Sequence, residues 1–365
     1  MNDGQFMRAA LSLARRGLGT VWPNPTVGCV LVKDGAVVGR GWTQAGGRPH
    51  GETEALHRAG ARAKGATAYV SLEPCCHHGK TPPCTDALIE AGIGRAVVAL
   101  EDPDPRVAGR GIAQLRGAGI AVEIGLMAEE ARAINAGFFM RLSEGRPLVT
   151  LKLATTLDGK IATANGESRW ITGEAARDRA HLLRATHDAV MVGAGTVIAD
   201  DPLLTCRLPG FLGRNPVRIV VDGGLRVPLT AKLVAEAKQA PTWIIHGHGL
   251  DAARRQAFAD CGVELIEAAF TRTSELDLAG ALAALGQRGL TRILVEGGAR
   301  LAGALLEADL IDRLAWFQAP ALLGADALPA VEAFGVTALA AARRFKRLAL
   351  EVCGEDVLET LTRAA

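Results

Sequence analysis

The chain has 365 residues, of which 49% are hydrophobic and 22% charged, with a formal net charge of +2. At roughly 100–200 residues per domain this length suggests two domains or three, and the near-neutral balance lacks the basic surplus of nucleic-acid binders. Seven cysteines, three of them in one short stretch, make a poor disulfide framework. No apolar run reaches the ~18 residues of a membrane span, and the opening MNDGQFMRAALSLARRGLG has no apolar core of signal-peptide type. The expectation is a cytoplasmic protein with reduced thiols.

Along the chain, Phe6, Ala10, Leu11, Ala14 and Leu18 recur at helical spacing over residues 5–18. TVGCVLVKDGAVVGRGW reads as two strands turning at Asp34-Gly35. A helix is expected from Glu52 to Lys64, then strand ATAYVSL, a short helix from Thr85 to Ala91 and strand RAVVAL. A helix from Ile112 to Gly117, strand IAVEIG and a helix from Glu129 to Met140 complete this part. The order implies a sheet with helices on its faces. The polar stretch Ser143 to Pro147 places a boundary there, giving domains 1–145 and 146–365. The second is a further α/β domain, with strands expected at PLVTLKLA, DAVMVG, RIVVD, TWIIH, VELIEA, RILVEG and RLAWFQAP.

The densest chemistry lies in EPCCHHGKTPPC, Glu73 to Cys84, and in His50-Gly51-Glu52 upstream. A catalytic zinc takes three protein ligands and keeps one position for water, whose pKa it brings to about 7. A carboxylate nearby, off the metal, can shuttle a proton to a leaving amine. His-x-Glu followed by Pro-Cys and a later Cys is the signature of zinc deaminases of nucleobases. His50, Cys75 and Cys84 are therefore the expected ligands and Glu52 the shuttle, with adjacent Cys76 left to packing. A four-ligand structural zinc site using Cys76, His77 or His78, and a plain disulfide, are the alternatives. Cys29, in a strand, reads as an apolar filler.

PNPTVGCVLVKDG, HGETEAL, GATAYVSLEPCCHHGKTPPC and EDPDPRVAGRG together resemble the deaminase half of the bifunctional deaminase/reductases of riboflavin biosynthesis. LKLATTLDGKIATANGESRWIT, VGAGTVIADDPLLTCR, IVVD and ILVEGGARLAGALL resemble the reductase half. The resemblance covers nearly the whole chain. It implies a cytidine-deaminase-like three-layer domain followed by a dihydrofolate-reductase-like α/β domain, with Zn2+ and NADPH as cofactors. The implied substrate is a small phosphorylated pyrimidine, 2,5-diamino-6-(ribosylamino)pyrimidinone 5′-phosphate, deaminated at its 2-position before its ribosyl group is reduced to ribityl. No nucleic-acid or membrane partner is implied, and a homo-oligomer, dimer or tetramer, is. The chain departs from the family pattern at Thr43, Gly51 and Asp104, which bears on substrate contacts but not on the metal set.

The same resemblance points to Asn24, His77, Lys80 and Thr81 as deaminase substrate contacts. In the second domain Gly297-Gly298, between a strand and a helix, would let a phosphate approach a helix N-terminus, whereas Gly193 and Gly195 in GAGTVI are a weak dinucleotide signal. The resemblance assigns Ala154, Trp170, Thr196, Asp200, Gly223 and the run Gly297, Gly298, Ala299, Arg300, Leu301, Ala302, Gly303 and Ala304 to NADPH. It assigns Ser168, Arg184, Leu204, Arg207 and Glu296 to the substrate. Lys152 is the candidate for steering the ribose or donating a proton, with a structural lysine as the alternative, and Asp158 reads as a turn former. Two rivals are a nucleic-acid deaminase with an accessory domain and a non-catalytic zinc-stabilised binding protein.

Overall fold

The computed structural model describes residues 2–211, 213–272 and 274–364. The chain divides into two compact units, Met1–Gly145 and Arg146–Ala365.

The first unit runs α1 (Asp3–Arg15), β1 (Gly28–Lys33), β2 (Ala36–Trp42), α2 (Gly51–Ala59), β3 (Thr67–Val70), α3 (Cys84–Glu90), β4 (Arg95–Val98), α4 (Arg110–Gly117), β5 (Ala121–Ile124), α5 (Ala128–Ile134) and α6 (Ala136–Glu144). The sheet order is β2-β1-β3-β4-β5, antiparallel across β1 and parallel from β3 onward. Asp34 and Gly35 both have positive φ and turn the β1–β2 hairpin. A Cβ on Gly28 would meet the Ala10 carbonyl of α1, while one on Gly41 would meet the Gly51 carbonyl of α2. Gly41 pairs with Cys29, the neighbour of Gly28, so the two glycines face opposite sides of the pleat. Helices α1 and α2 thus cover opposite faces, which makes the three layers. Met7, Leu11, Leu31, Leu72, Leu88 and Leu115 fill the core, and Cys29 is buried among them.

Two expectations shift. The helix anticipated over Glu129 to Met140 is two helices broken at Asn135, whose side chain instead pairs with the backbone N–H and carbonyl of Thr26 at 2.9 and 3.0 Å. The helix anticipated as far as Lys64 stops at Ala59, because Gly60 takes φ 56° and a 3-10 turn follows.

The second unit has β6 (Leu148–Thr156), β7 (Lys160–Ala162), α7 (Glu174–Ala185), β8 (Ala189–Gly193), α8 (Ala194–Asp200), β9 (Val217–Val221), α9 (Lys232–Ala235), β10 (Thr242–His246), α10 (Ala252–Asp260), β11 (Glu264–Glu267), α11 (Leu278–Gln287), β12 (Arg292–Val295), α12 (Ala299–Glu307), β13 (Arg313–Ala319), β14 (Leu328–Pro329), β15 (Phe345–Cys353) and β16 (Asp356–Arg363). Its main sheet has nine strands in the order β11-β10-β9-β8-β12-β6-β13-β16-β15. The strands run parallel from β11 to β13, and β16 and β15 close it as an antiparallel hairpin. The seven apolar runs expected as strands are all present; β7, β14 and the terminal hairpin are additions that those runs did not announce. The hairpin's outer strand is mostly exposed, so its sequence carries charges and lacks a buried run. Parallel order puts the loops after β6, β8, β9 and β12 on one edge, where ligands bind in such sheets.

Candidate functional site

In the first unit, α2 and α3 begin at the same place. His50 is the N-cap of α2 and Cys84 the first residue of α3, and Cys75 follows the strand–loop exit of β3. The His50 Nδ1 lies 3.3 Å from the Cys84 Sγ and 3.5 Å from the Cys75 Sγ, and one ligand atom from each residue falls within 4.8 Å of the others. Metal–ligand bonds of 2.0–2.3 Å in a tetrahedron put ligand atoms about 3.3–3.8 Å apart, so the nitrogen stands at zinc spacing from each sulfur. The Cys84 thiol and, against burial, His50 and the Cys84 amide pull Cys75 down to about 4. The same partnership, with burial, holds Cys84 well above its ordinary value. The two sulfurs thus share one proton that a cation would displace.

Glu52, the second residue of α2, is 2% exposed, and its Oε2 has no hydrogen-bond partner among the described residues. Burial pushes its carboxyl up to about 7. A buried carboxyl with one oxygen free, beside an imidazole and two thiols, is what a proton shuttle requires. Cys76 stands apart from the set, its Sγ 3.7 Å from the Arg106 carbonyl.

A residue that the motif reading passed over secures the second ligand. Glu73 is 3% exposed and accepts from the amides of Asp102, Gly109 and Ile112 at 3.0–3.1 Å. It ties the turn that carries Cys75 to the loop before α4. The only available signal was an acid amid apolar residues directly after a strand. The departures also have partners: the Thr43 hydroxyl accepts from the Val27 amide at 2.9 Å, and Asp104 is forked by Arg106 at 2.6–3.2 Å. Asn24 donates to the Gly47 carbonyl, the Thr81 hydroxyl accepts from Arg48, Lys80 is exposed, and the His77 Nδ1 has no partner among the described residues.

In the second unit, a cavity of about 1120 Å³ opens at the edge that the parallel strands define. Lys152, Ala154 and Ser168 line it, as do Thr196, Asp200, Gly223, Glu296 and the residues from Gly297 to Ala304 except Gly303. Gly298 takes φ 92° as the N-cap of α12, a conformation that L side chains rarely adopt and one that leaves the helix start open to a phosphate. The cavity has room and a cradle for a dinucleotide, so its residues fit NADPH. Gly303 packs instead against the Glu332 carbonyl, where a Cβ would come within 3.0 Å.

Trp170, Arg184, Leu204 and Arg207 also lie off the cavity wall. Trp170 is 68% exposed, with the Arg177 guanidinium 4.7 Å from its ring centroid. Leu204 is buried in the core. Arg207 is exposed, and its amide donates to the His181 Nδ1. Arg184 forks Glu296 at 2.5 and 2.8 Å and donates to the Thr205 carbonyl. Burial alone would raise Glu296; the Arg184 charge outweighs it and keeps the carboxyl below its ordinary value. Burial lowers Lys152, and Glu296 opposes that shift. Asp158 accepts from the Thr156 hydroxyl and from the Leu323 and Gly324 amides, holding one turn against another. Arg226, which no motif marked, also lines the cavity.

Comparison with known proteins finds matches for both units. A family profile described as the RibD C-terminal domain matches residues 147–358, and one described as the cytidine and deoxycytidylate deaminase zinc-binding region matches residues 1–100. The chain is 45% identical to the riboflavin biosynthesis protein RibD of Escherichia coli K12, over 98% of both chains. It is 43% identical to that of Aquifex aeolicus, over 98% of this chain and 97% of the other. Among solved structures, Acinetobacter baumannii RibD (form 2) superposes with a TM-score of 0.88 at 40% identity over 99% of each chain. A diaminohydroxyphosphoribosylaminopyrimidine deaminase/5-amino-6-(5-phosphoribosylamino)uracil reductase from Thermotoga maritima gives 0.85 at 36% identity, again over 99% of each.

Proposed function

The chain belongs to the RibD family of bifunctional riboflavin-biosynthesis deaminase/reductases, and we propose how its own residues divide the two reactions. Residues 1–145 deaminate 2,5-diamino-6-(ribosylamino)pyrimidinone 5′-phosphate, and residues 146–365 reduce the product's ribosyl group.

In the first reaction His50, Cys75 and Cys84 would hold zinc, which supplies a Lewis acid that makes water nucleophilic near neutral pH. Glu52 takes a proton from the attacking water and delivers it to the 2-amino nitrogen. The C–N bond breaks, ammonia leaves and a carbonyl remains. Asn24, His77, Lys80 and Thr81 orient the substrate from the loops around the ligands. The observation that carries this reading is Glu52, buried at the ligand set with its Oε2 unpartnered among the described residues.

In the second reaction the Gly298 loop, Thr196 and Asp200 would hold NADPH, which when bound would supply the hydride for the ribosyl C1′. Lys152, which burial makes a stronger acid, gives the proton that lets the sugar ring open. Glu296, fixed by Arg184, holds the substrate beside it.

A split assay tests this: ammonia release without NADPH, then NADPH oxidation after its addition. Ammonia first and NADPH loss second is the expected order; NADPH loss with no preceding ammonia would refute the division of labour.

A cytoplasmic setting with small-molecule substrates is part of this proposal; all seven cysteines are free, as reduced thiols would be there, and no helix among the described residues is long and apolar enough to cross a membrane. Strand β15 is a sheet edge that exposes Leu348, Leu350 and Val352, which supports self-association through the second unit. Sedimentation of the wild type against Leu350→Lys would show a change of mass if the edge is used.

A further inference from the structure

Arg48 stands at the metal centre without a task in the chemistry above. Its Nη1 is 3.4 Å from the His50 Nε2 and 2.5 Å from the Thr81 hydroxyl. Its Nη2 would lie 3.5 Å from a Cβ on Gly79. The half-buried guanidinium therefore bridges the ring of one metal ligand to the loop of residues 79–81. No carboxylate is paired with it among the described residues.

The obvious role would be to orient His50. A histidine that ligates through one nitrogen carries its proton on the other and is oriented by an acceptor there. Nδ1 is the nitrogen that faces both sulfurs. Nε2 is then a donor, and a guanidinium has five donors and no acceptor. Two donors facing each other at 3.4 Å make no hydrogen bond. Arg48 also adds positive charge beside a ligand set built for a cation, which opposes metal binding. A cation kept in such a place implies an anion that arrives with the ligand.

Two further features say which anion. Lys80, exposed on the same loop, supplies a second cation, and no ion pair engages it among the described residues. The guanidinium lies on the side of the imidazole away from the ligating nitrogen. A molecule whose base reaches the metal-facing atoms can thus set a group several ångströms off against Arg48, as a nucleotide base is set off from its 5′-phosphate. Guanidinium binds phosphate bidentately, whereas ammonium acts as a point charge.

We propose that Arg48, together with Lys80, binds the 5′-phosphate of the deaminase substrate, with the Thr81 hydroxyl fixing the guanidinium between ligand and loop. This rests on the deaminase reading and adds to it a residue that decides for phosphorylated over dephosphorylated substrate.

The test is ammonia release by the full chain, without NADPH, on the phosphorylated substrate and on the same riboside lacking phosphate. Wild type is compared with Arg48→Ala and Arg48→Gln, the second keeping a donor for Thr81. Zinc content and melting temperature are measured on each. For the phosphorylated substrate KM should rise about tenfold or more, the weight of one charge-assisted contact, with kcat within about twofold. For the riboside the variants should match wild type, and zinc should stay at the wild-type level. Inorganic phosphate should inhibit wild type competitively and the variants more weakly. Unchanged KM, an equal rise on both substrates, or loss of zinc in both variants would overturn the proposal. Absence of ammonia from wild type itself would instead refute the deaminase reading.

Discussion

The two sites treat a buried carboxylate in opposite ways. Glu52 is enclosed with its Oε2 unpartnered among the described residues, and burial pushes it up to about 7, so near neutral pH it can hold or release a proton. Glu296 is nearly as enclosed, yet Arg184 forks both its oxygens and keeps it ionised. One environment prepares a group that must change state during a hydrolysis. The other prepares a fixed charge in a reaction whose hard step the cofactor carries. Burial is common to both; the presence of a guanidinium decides the role.

The comparison breaks most visibly at Glu52. Positioned acid–base groups are worth about 10²–10⁴-fold, so Glu52→Gln should cut ammonia release by roughly a thousandfold. Zinc content, and NADPH oxidation on pre-deaminated substrate, should stay as in wild type. Retained deamination would mean that the buried carboxylate is incidental.

At Glu296 the expected loss is in stability. Removing one partner of a buried ion pair typically costs about 3–5 kcal/mol, because the other charge stays buried alone. Arg184→Met should lower the denaturation midpoint accordingly, and Arg184→Met with Glu296→Gln should recover most of it. If the single variant were as stable as wild type, Glu296 would not depend on its guanidinium.

How far each site could be read from sequence follows from how it is built. His50, Glu52, Cys75 and Cys84 lie within one short span, where unusual residue types at fixed spacing mark both the candidate ligands and the proposed shuttle. Glu73 escaped, because a carboxylate that collects three backbone amides looks in sequence like any other acid. The strands of both sheets were legible as apolar runs, except for the terminal hairpin of β15 and β16, whose outer strand is mostly exposed. The break at Asn135 was not, since it depends on a pairing with Thr26 more than a hundred residues earlier. In the second unit the cavity wall gathers Arg226 and residues near Phe270 from separate crossovers, and no local pattern marks such a surface. Arg184 was legible only through the family resemblance, because its fork with Glu296 joins residues more than a hundred positions apart.

A smaller effect separates the units by pH. His187 is 5% exposed, with its Nδ1 facing the Leu183 carbonyl at 2.7 Å and its Nε2 facing the Thr150 hydroxyl at 3.0 Å. Burial lowers it to about 3. A folded value below the unfolded one, near 6.5, favours the native state above that pH and loses the advantage as pH falls. Between about pH 7 and pH 5 this one group should cost the second unit about 2 kcal/mol. Glu52, raised by burial, has the opposite sign: its penalty is absent below its ordinary value and grows as pH rises toward 7. His187→Gln should therefore flatten the acid side of the second unit's melting profile and leave the first unit's unchanged. An equally steep profile in the variant would assign the slope to other groups.

The smallest expected difference concerns two helix glycines. Alanine gains up to about 1 kcal/mol over glycine inside a helix. At Gly195, in α8, a Cβ meets nothing within 4 Å, so Gly195→Ala should raise the melting temperature slightly in the absence of cofactor. At Gly51 a Cβ would stand 2.6 Å from the Val27 carbonyl and 3.2 Å from the Trp42 Cα. Backbone must move to admit it, and overpacking of that kind costs about 1–3 kcal/mol. Gly51→Ala should thus lose about 1 kcal/mol net and weaken zinc retention against a chelator, because the helix start that it displaces carries His50 on one side and Glu52 on the other. If Gly51→Ala instead stabilised the protein with zinc held as tightly, the ligand set would not depend on how closely α2 lies against the sheet.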